Sequence, residues 1–240
     1  MKKILYTLLS VILLFLGAAC KKDDTKYSAT SDVFVINAAV GAGSIRVNPG
    51  SGGSFSYAKA ADIAYGASNT YPGFVGNTTI TVVSSADTTK TLAQNSLNVQ
   101  PINTLYISGQ SPTIDTMFRV EKNLPYIAGS VINADSSLYI RFVNLSPNST
   151  PLNVNIKAAT SNVTSNLGYK GISDFVKYSA KATSGTYTFE FRDPATNTLL
   201  ATYPINSNSF RYRTIAIIVK GLSGTSSGAN AFGVFQINYI

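Results

Sequence analysis

Polar and apolar residues alternate one for one through much of this chain, and that period of two excludes most folds. Leu152, Val154 and Ile156 are interleaved with Asn153 and Asn155; Tyr187, Phe189 and Phe191 with Thr188 and Glu190; Phe235, Ile237 and Tyr239 with Gln236 and Asn238. A strand sends successive side chains to opposite faces, so such segments have one buried and one wet face, as in antiparallel sheets. Residues 215–219 are continuously apolar and read as a central strand. Residues 193–197, Asp-Pro-Ala-Thr-Asn, read as a turn between strands. No segment has helical periodicity; the Ala-rich residues 57–65 have room for a short helix at best. Short strands with frequent turn signals indicate an all-β protein built from sandwiches.

The chain also repeats itself. Residues 32–37 (DVFVIN) parallel 138–144 (LYIRFVN), each a strand ending in Asn. Residues 63–66 parallel 166–169, Gly76 opening NTTITVV parallels Gly185 opening TYTFEF, and 105–109 parallel 217–221. The spacing suits one sandwich of about 100 residues per repeat. The expected architecture is therefore two tandem immunoglobulin-like antiparallel β-sandwich domains, residues 32–125 (the divergent repeat) and 126–240, with the boundary between Val120 and Asp135. Charge supports the division. Residues 31–120 hold Arg46, Lys59, Lys90 and Arg119 against Asp32, Asp62, Asp87 and Asp115, whereas residues 121–240 hold ten Lys/Arg against five acids.

Residues 1–19 form a processing unit. Lys2 and Lys3 precede an apolar run ending in Gly17-Ala18-Ala19. That run is shorter than the roughly 20 residues a membrane-spanning helix needs, so it reads as a signal peptide. Small residues before Cys20, the chain's single cysteine, resemble the lipobox of bacterial lipoproteins, with Gly17 where Leu is commonest. The resemblance implies acylation of Cys20, which would moor the chain to a membrane. Lys21-Lys22-Asp23-Asp24 resembles the export signal that sends Bacteroidota lipoproteins to the outer face of the outer membrane; the alternative is the periplasmic face. Residues 20–31, lipidated Cys included, read as a flexible tether.

The second half resembles the bacterial domain-of-unknown-function family 4397. The residues that carry this are Arg141-Phe142-Val143-Asn144-Leu145-Ser146-Pro147, Leu152-Asn153-Val154-Asn155-Ile156, Leu167-Gly168-Tyr169 and Gly185-Thr186-Tyr187-Thr188-Phe189-Glu190-Phe191. The first half matches weakly, since Val35-Ile36-Asn37 lacks the Ser-Pro. The resemblance implies an immunoglobulin-like sandwich on an exported protein and brings no activity, cofactor or catalytic residue.

Composition removes much chemistry. There is no His, no Trp and one Cys among 240 residues, so the chain has no imidazole base, no Ser-His-Asp triad, no internal disulfide and no His- or thiolate-ligated metal cluster. The glycine-rich residues 41–44 and 48–53 complete neither a dinucleotide fingerprint nor a phosphate-binding loop. Glu190 and Asp193 are close in sequence but are read as a wet-face residue and a turn residue, and no enzyme is expected. The 19 Lys/Arg against 11 Asp/Glu are dispersed without interleaved aromatics, so nucleic acid is not an expected partner. Thr88 and Thr116, in Asp87-Thr88-Thr89 and Asp115-Thr116-Met117, resemble Bacteroidota O-glycosylation acceptors.

The expected function is a non-catalytic binding or scaffold module anchored through lipid on Cys20, without cofactor or metal, whose partner is a glycan or an outer-membrane protein. Tyr71, Tyr126 and Tyr178 are the candidate sugar platforms in a chain without Trp. The alternative is an adhesin- or fimbria-like subunit assembling by strand exchange, with the apolar last strand from Gly233 as donor.

Overall fold

The computed structural model describes residues 29–50, 55–122, 124–125 and 136–239. The signal segment, Cys20, Lys21, Lys22, Asp23, Asp24 and Tyr126 lie outside the described residues. The first half comprises β1 (Thr30–Asn37), β2 (Ile45–Asn48), β3 (Ala67–Phe74), β4 (Gly76–Ser84), β5 (Thr91–Val99), β6 (Ile102–Gln110) and β7 (Thr113–Val120). The second comprises β8 (Ser137–Asn144), β9 (Leu152–Ile156), β10 (Asn162–Leu167), β11 (Val176–Ser179), β12 (Thr186–Arg192), β13 (Leu199–Asn206), β14 (Thr214–Lys220) and β15 (Gly233–Asn238). The Ala-rich stretch forms only a 3-10 turn over Tyr57–Lys59.

Each half builds two sheets on one plan. The orders β3-β1-β6-β7 and β2-β4-β5 recur as β11-β8-β14-β15 and β9-β12-β13, the second half adding β10 outside β9. The repeat thus extends to strand connectivity. One expectation is corrected: the sheets are not purely antiparallel, because β1 runs parallel to β6 and β8 parallel to β14. The physical reason is burial on both faces. β6 is buried from Asn103 to Gly109 and β14 from Thr214 to Val219, the setting in which parallel strands are found.

Each inner sheet has two cores to serve. Val33, Val35, Leu105 and Ile107 pack with Ile45, Val47, Ile80 and Val82 inside the first half. Leu138, Ile140, Phe142, Ile215 and Ile217 pack with Leu152, Val154, Phe189 and Phe191 inside the second. The opposite faces of the same inner strands meet in a third core, where Ile36, Ala38 and Tyr106 face Val143, Leu145, Ala216, Ile218, Ile237 and Tyr239. The molecule is therefore four layers deep, with the halves joined through a continuous apolar seam.

The duplicated Asn explains the repeat's strongest signal. Asn37 donates through Nδ2 to the Ile63 carbonyl at 3.0 Å, and its Oδ1 accepts from the Ala39 amide at 3.2 Å. Asn144 donates to the Leu167 carbonyl at 3.0 Å and accepts from the Ser146 amide at 3.0 Å. Each ties the end of a first strand to the segment that crosses it. These bonds pair Ile63 with Leu167 and Tyr65 with Tyr169, one position away from the alignment of residues 63–66 with 166–169. Gly109 likewise recurs as Gly221, with φ of +85° and +84°. A Cβ on Gly109 would lie 2.7 Å from the Thr113 carbonyl oxygen, so only glycine closes that hairpin.

β15 is antiparallel to β14 of its own chain, and Ile237 and Tyr239 are buried in the seam between the halves. This is a correction to the strand-exchange alternative: the last strand is a built-in part of its own fold, not a free donor.

Candidate functional site

The outer face of β2-β4-β5 carries an open concavity. In β4 the β-branched run Thr78-Thr79-Ile80-Thr81-Val82 favours a strand, and its alternation sends Ile80 and Val82 to the core and Asn77, Thr79 and Thr81 outward. The register places these against β5 as Asn77–Asn98, Thr79–Ser96 and Thr81–Gln94. Asn48 of β2 stands beside Thr81 on the other side. The result is a ladder of amide and hydroxyl side chains lining a cleft of about 870 Å³, with Gly50, Thr78 and Leu97 completing its wall.

The side chains of this ladder are only lightly committed. Thr79 and Ser96 hydroxyls lie 3.3 Å apart, and Gln94 Nε2 donates to Thr81 Oγ1 at 3.3 Å, both at the long end for hydrogen bonds. Among the ten residues lining the cleft there is no Asp, Glu, Lys or Arg. Amides and hydroxyls each donate and accept, so the surface matches a neutral ligand rich in groups that do both.

Gly50, Asn77 and Thr78 also border a second, more apolar hollow of about 430 Å³, lined by Val33, Pro49, Tyr71, Pro72, Phe74 and Val99. Phe74 is 67% exposed, the largest exposure of any big apolar side chain described. Tyr71 is half-buried, and burial raises its phenol above its ordinary range. An aromatic notch thus adjoins the polar ladder.

The other residues singled out from sequence fall elsewhere. Tyr178 is buried in the second core against Tyr187 and Phe189; this corrects its reading as a sugar platform, because its ring fills core space and is closed to ligand. Thr88 sits on the β4–β5 turn beside Asp87, whereas Thr116 lies within β7 and donates its hydroxyl to Asn95 Oδ1 at 2.7 Å. Glu190 is buried on β12, where its Oε2 accepts from Asn155 Nδ2 at 3.0 Å and from Arg192 Nε and Nη2 at 3.1 and 3.0 Å. These donors, Asn155 first, hold its pKa below the usual value. Asp193 caps its turn, accepting from the Ala195 and Thr196 amides at 2.9 and 3.0 Å, and those amides, that of Thr196 foremost, lower its pKa too. Both carboxylates are held ionised by partners of their own, so neither is a proton donor kept in reserve.

Sequence reasoning missed a buried ion pair across the seam. Arg141 Nη1 and Nη2 donate to Glu121 Oε1 and Oε2 at 2.9 and 2.8 Å, with side-chain exposures of 3% and 2%. Thr104 donates to the same carboxylate at 2.8 Å, and the guanidinium lies 3.7 Å over the Phe175 ring. Tyr106 and Tyr239 hydroxyls meet at 3.0 Å alongside, and burial pushes both phenols up. The contacts at the opposite end of the seam are reciprocal: Tyr169 meets Ser108 at 3.0 Å and donates to Asp115 at 2.8 Å, while Lys220 lies 4.1 Å over Tyr65. Glu121 and Arg141 stand 20 positions apart on either side of the boundary between the halves and carry no pattern, so nothing short of the fold pairs them.

No family model and no curated protein matches the chain. Among solved structures it is similar to a carbohydrate-binding module of family 41, from work on α-glucan recognition in streptococcal virulence factors. That match is 14% identical, covers 87% of this chain and 97% of that one, and has a TM-score of 0.26.

Proposed function

We propose that this chain is a non-catalytic binding module that captures a neutral glycan on the outer face of β2-β4-β5, held at a membrane by lipid on Cys20. The observation that carries the reading is the charge-free ladder of Asn, Gln, Thr and Ser side chains open to the 870 Å³ cleft. Sugar hydroxyls donate and accept as these side chains do, and the Tyr71–Phe74 notch offers ring surface for the C–H face of a pyranose. An uncharged wall gives no gain for a uronate or sulfated sugar, whose desolvation it would leave uncompensated.

The test is calorimetric titration of the soluble chain with a panel of linear neutral glucans, mannans and galactans, with polygalacturonate as the charged comparison. At least one neutral glycan is expected to bind, and Asn77→Ala with Gln94→Ala to weaken it about tenfold, the effect of one or two hydrogen bonds. A panel without any neutral binder, or binding indifferent to both changes, would overturn the site. Anchoring is read separately: Cys20→Ser should move the protein out of the membrane fraction. Protease release of residues 31–240 from intact cells would place it on the outer face. Membership of family 4397 remains part of the same proposal, on the Arg141–Pro147 and Gly185–Phe191 motifs.

A further inference from the structure

The seam contacts fix how the halves are oriented. At one end Glu121, just after β7, meets Arg141 in the middle of β8, and Phe34 in the middle of β1 packs on Tyr239 just after β15, with ring centroids 5.1 Å apart. At the other end Tyr65 meets Lys220, and Tyr169 meets Ser108. β1 and β8 therefore start at the same end, and the chain enters the fold there, at Ala29, whose carbonyl accepts from the Val75 amide at 2.8 Å.

Charge is distributed unequally between the two ends. Near the entry lie Lys122 after β7, Lys181 in the turn after β11, and Arg211 and Arg213 before β14, against Asp32 and Asp174. Lys122, Lys181 and Arg213 are exposed. The turn and the β14 approach are fastened to each other and to the start of β8: Arg211 Nε donates to the Ala180 carbonyl at 3.0 Å, and the Ala180 and Tyr212 amides to the Ser136 and Ser137 carbonyls. At the far end four acids, Asp62, Asp87, Asp115 and Asp193, stand in loops or at strand ends. Asp62 pairs with Arg46 and Asp115 with Lys170, so two of the cations there are answered by acids, while Lys59 and Lys90 stand exposed.

We propose that the entry end is a membrane-docking surface, its cations resting on the anionic headgroups of the phospholipid bilayer that holds the anchor. The proposal rests on the anchoring part of the function above. Eight residues separate Cys20 from Ala29, a reach of about 30 Å even when fully extended. A short tether keeps the cationic end at high effective concentration over the headgroups, and the attraction acts within a Debye length of roughly 8 Å. Docked in this way, the far end points away from the membrane and the β2-β4-β5 face opens sideways, where a long glycan can pass.

The experiment sediments the unacylated chain, residues 20–240 with Cys20→Ser, with vesicles of phosphatidylcholine alone or equimolar with phosphatidylglycerol. Binding is expected only to the mixed vesicles. Each surface cation adds roughly fivefold in affinity, so Lys181→Gln with Arg213→Gln should lose roughly 25-fold. Lys59→Gln with Lys90→Gln removes the same charge from the far end and should leave binding within about twofold of the parent. Absence of binding to the mixed vesicles, or equal losses in the two double variants, would overturn the docking surface. Neither result bears on acylation, which the membrane fractionation of Cys20→Ser decides.

Discussion

The outer faces of β2-β4-β5 and β9-β12-β13 occupy equivalent places in the repeat and have opposite characters. Thr81 stands between Asn48 and Gln94 on the first face, and Glu190 stands between Asn155 and Thr202 on the second. At the first, side chains meet through long, easily exchanged contacts over an open cleft. At the second, a carboxylate gathers Asn155 and Arg192 into a charged network, and β10 extends the sheet beyond β9. One backbone plan thus supports either a face organised around a charge or one of neutral, loosely paired side chains. The difference lies in whether the central position carries a charge that must be answered from within.

The strongest way to break the comparison is to separate the halves that make it. Arg141→Met leaves buried Glu121 with only Thr104 and the half-exposed Arg119, 3.4 Å away, and should cost about 3 kcal/mol in urea unfolding, while Glu121→Leu with Arg141→Met should recover most of that loss. If the single variant unfolds like the parent, the seam is not held as described. Next in size, Glu190→Ala strands Arg192 and Asn155 and should cost about 1–2 kcal/mol, against less than about 0.5 kcal/mol for Thr81→Ala at the matching position; equal losses would erase the contrast.

Acid sharpens it further. The Tyr169 hydroxyl first, and Lys170, lower the pKa of Asp115 from 3.8, and Asn155 and Arg192 lower that of Glu190 from 4.5. Because both are depressed in the folded state, their stabilisation is present above those ordinary values and is lost as pH falls through the folded ones. Glu190→Gln should therefore flatten the acid limb of a stability–pH curve, and Thr81→Ala should leave it unchanged. Smallest in stability and largest in function is Asn77→Ala, expected within about 0.5 kcal/mol of the parent while weakening glycan binding in titration.

Much of this was legible in sequence, and unevenly. Tyr187-Phe189-Phe191 announced the second core because large aromatics at a period of two leave little doubt about which face is buried. The repeat was visible in Asn37 and Asn144, whose identical hydrogen bonds constrain their identity. The seam was not legible: Phe235, Ile237 and Tyr239 name a buried face without naming what buries it, and the double-sided burial of β6 looks like any apolar strand. The cleft was half legible. The NTTITVV segment after Gly76 stood out only as half of a repeat, β5 shows weak alternation, and neutral polar residues facing water look alike whether or not a ligand covers them.

The parallel pairing of β1 with β6 has a mechanical consequence. β1 lies inside its sheet, between β3 and β6, and the chain enters along its axis. A pull at Ala29 loads the antiparallel ladder to β3 and the parallel ladder to β6 together, in shear, rather than opening either one bond at a time. An edge strand in that position would peel from its free end. The point where the chain enters is therefore among the places where the fold best resists a load.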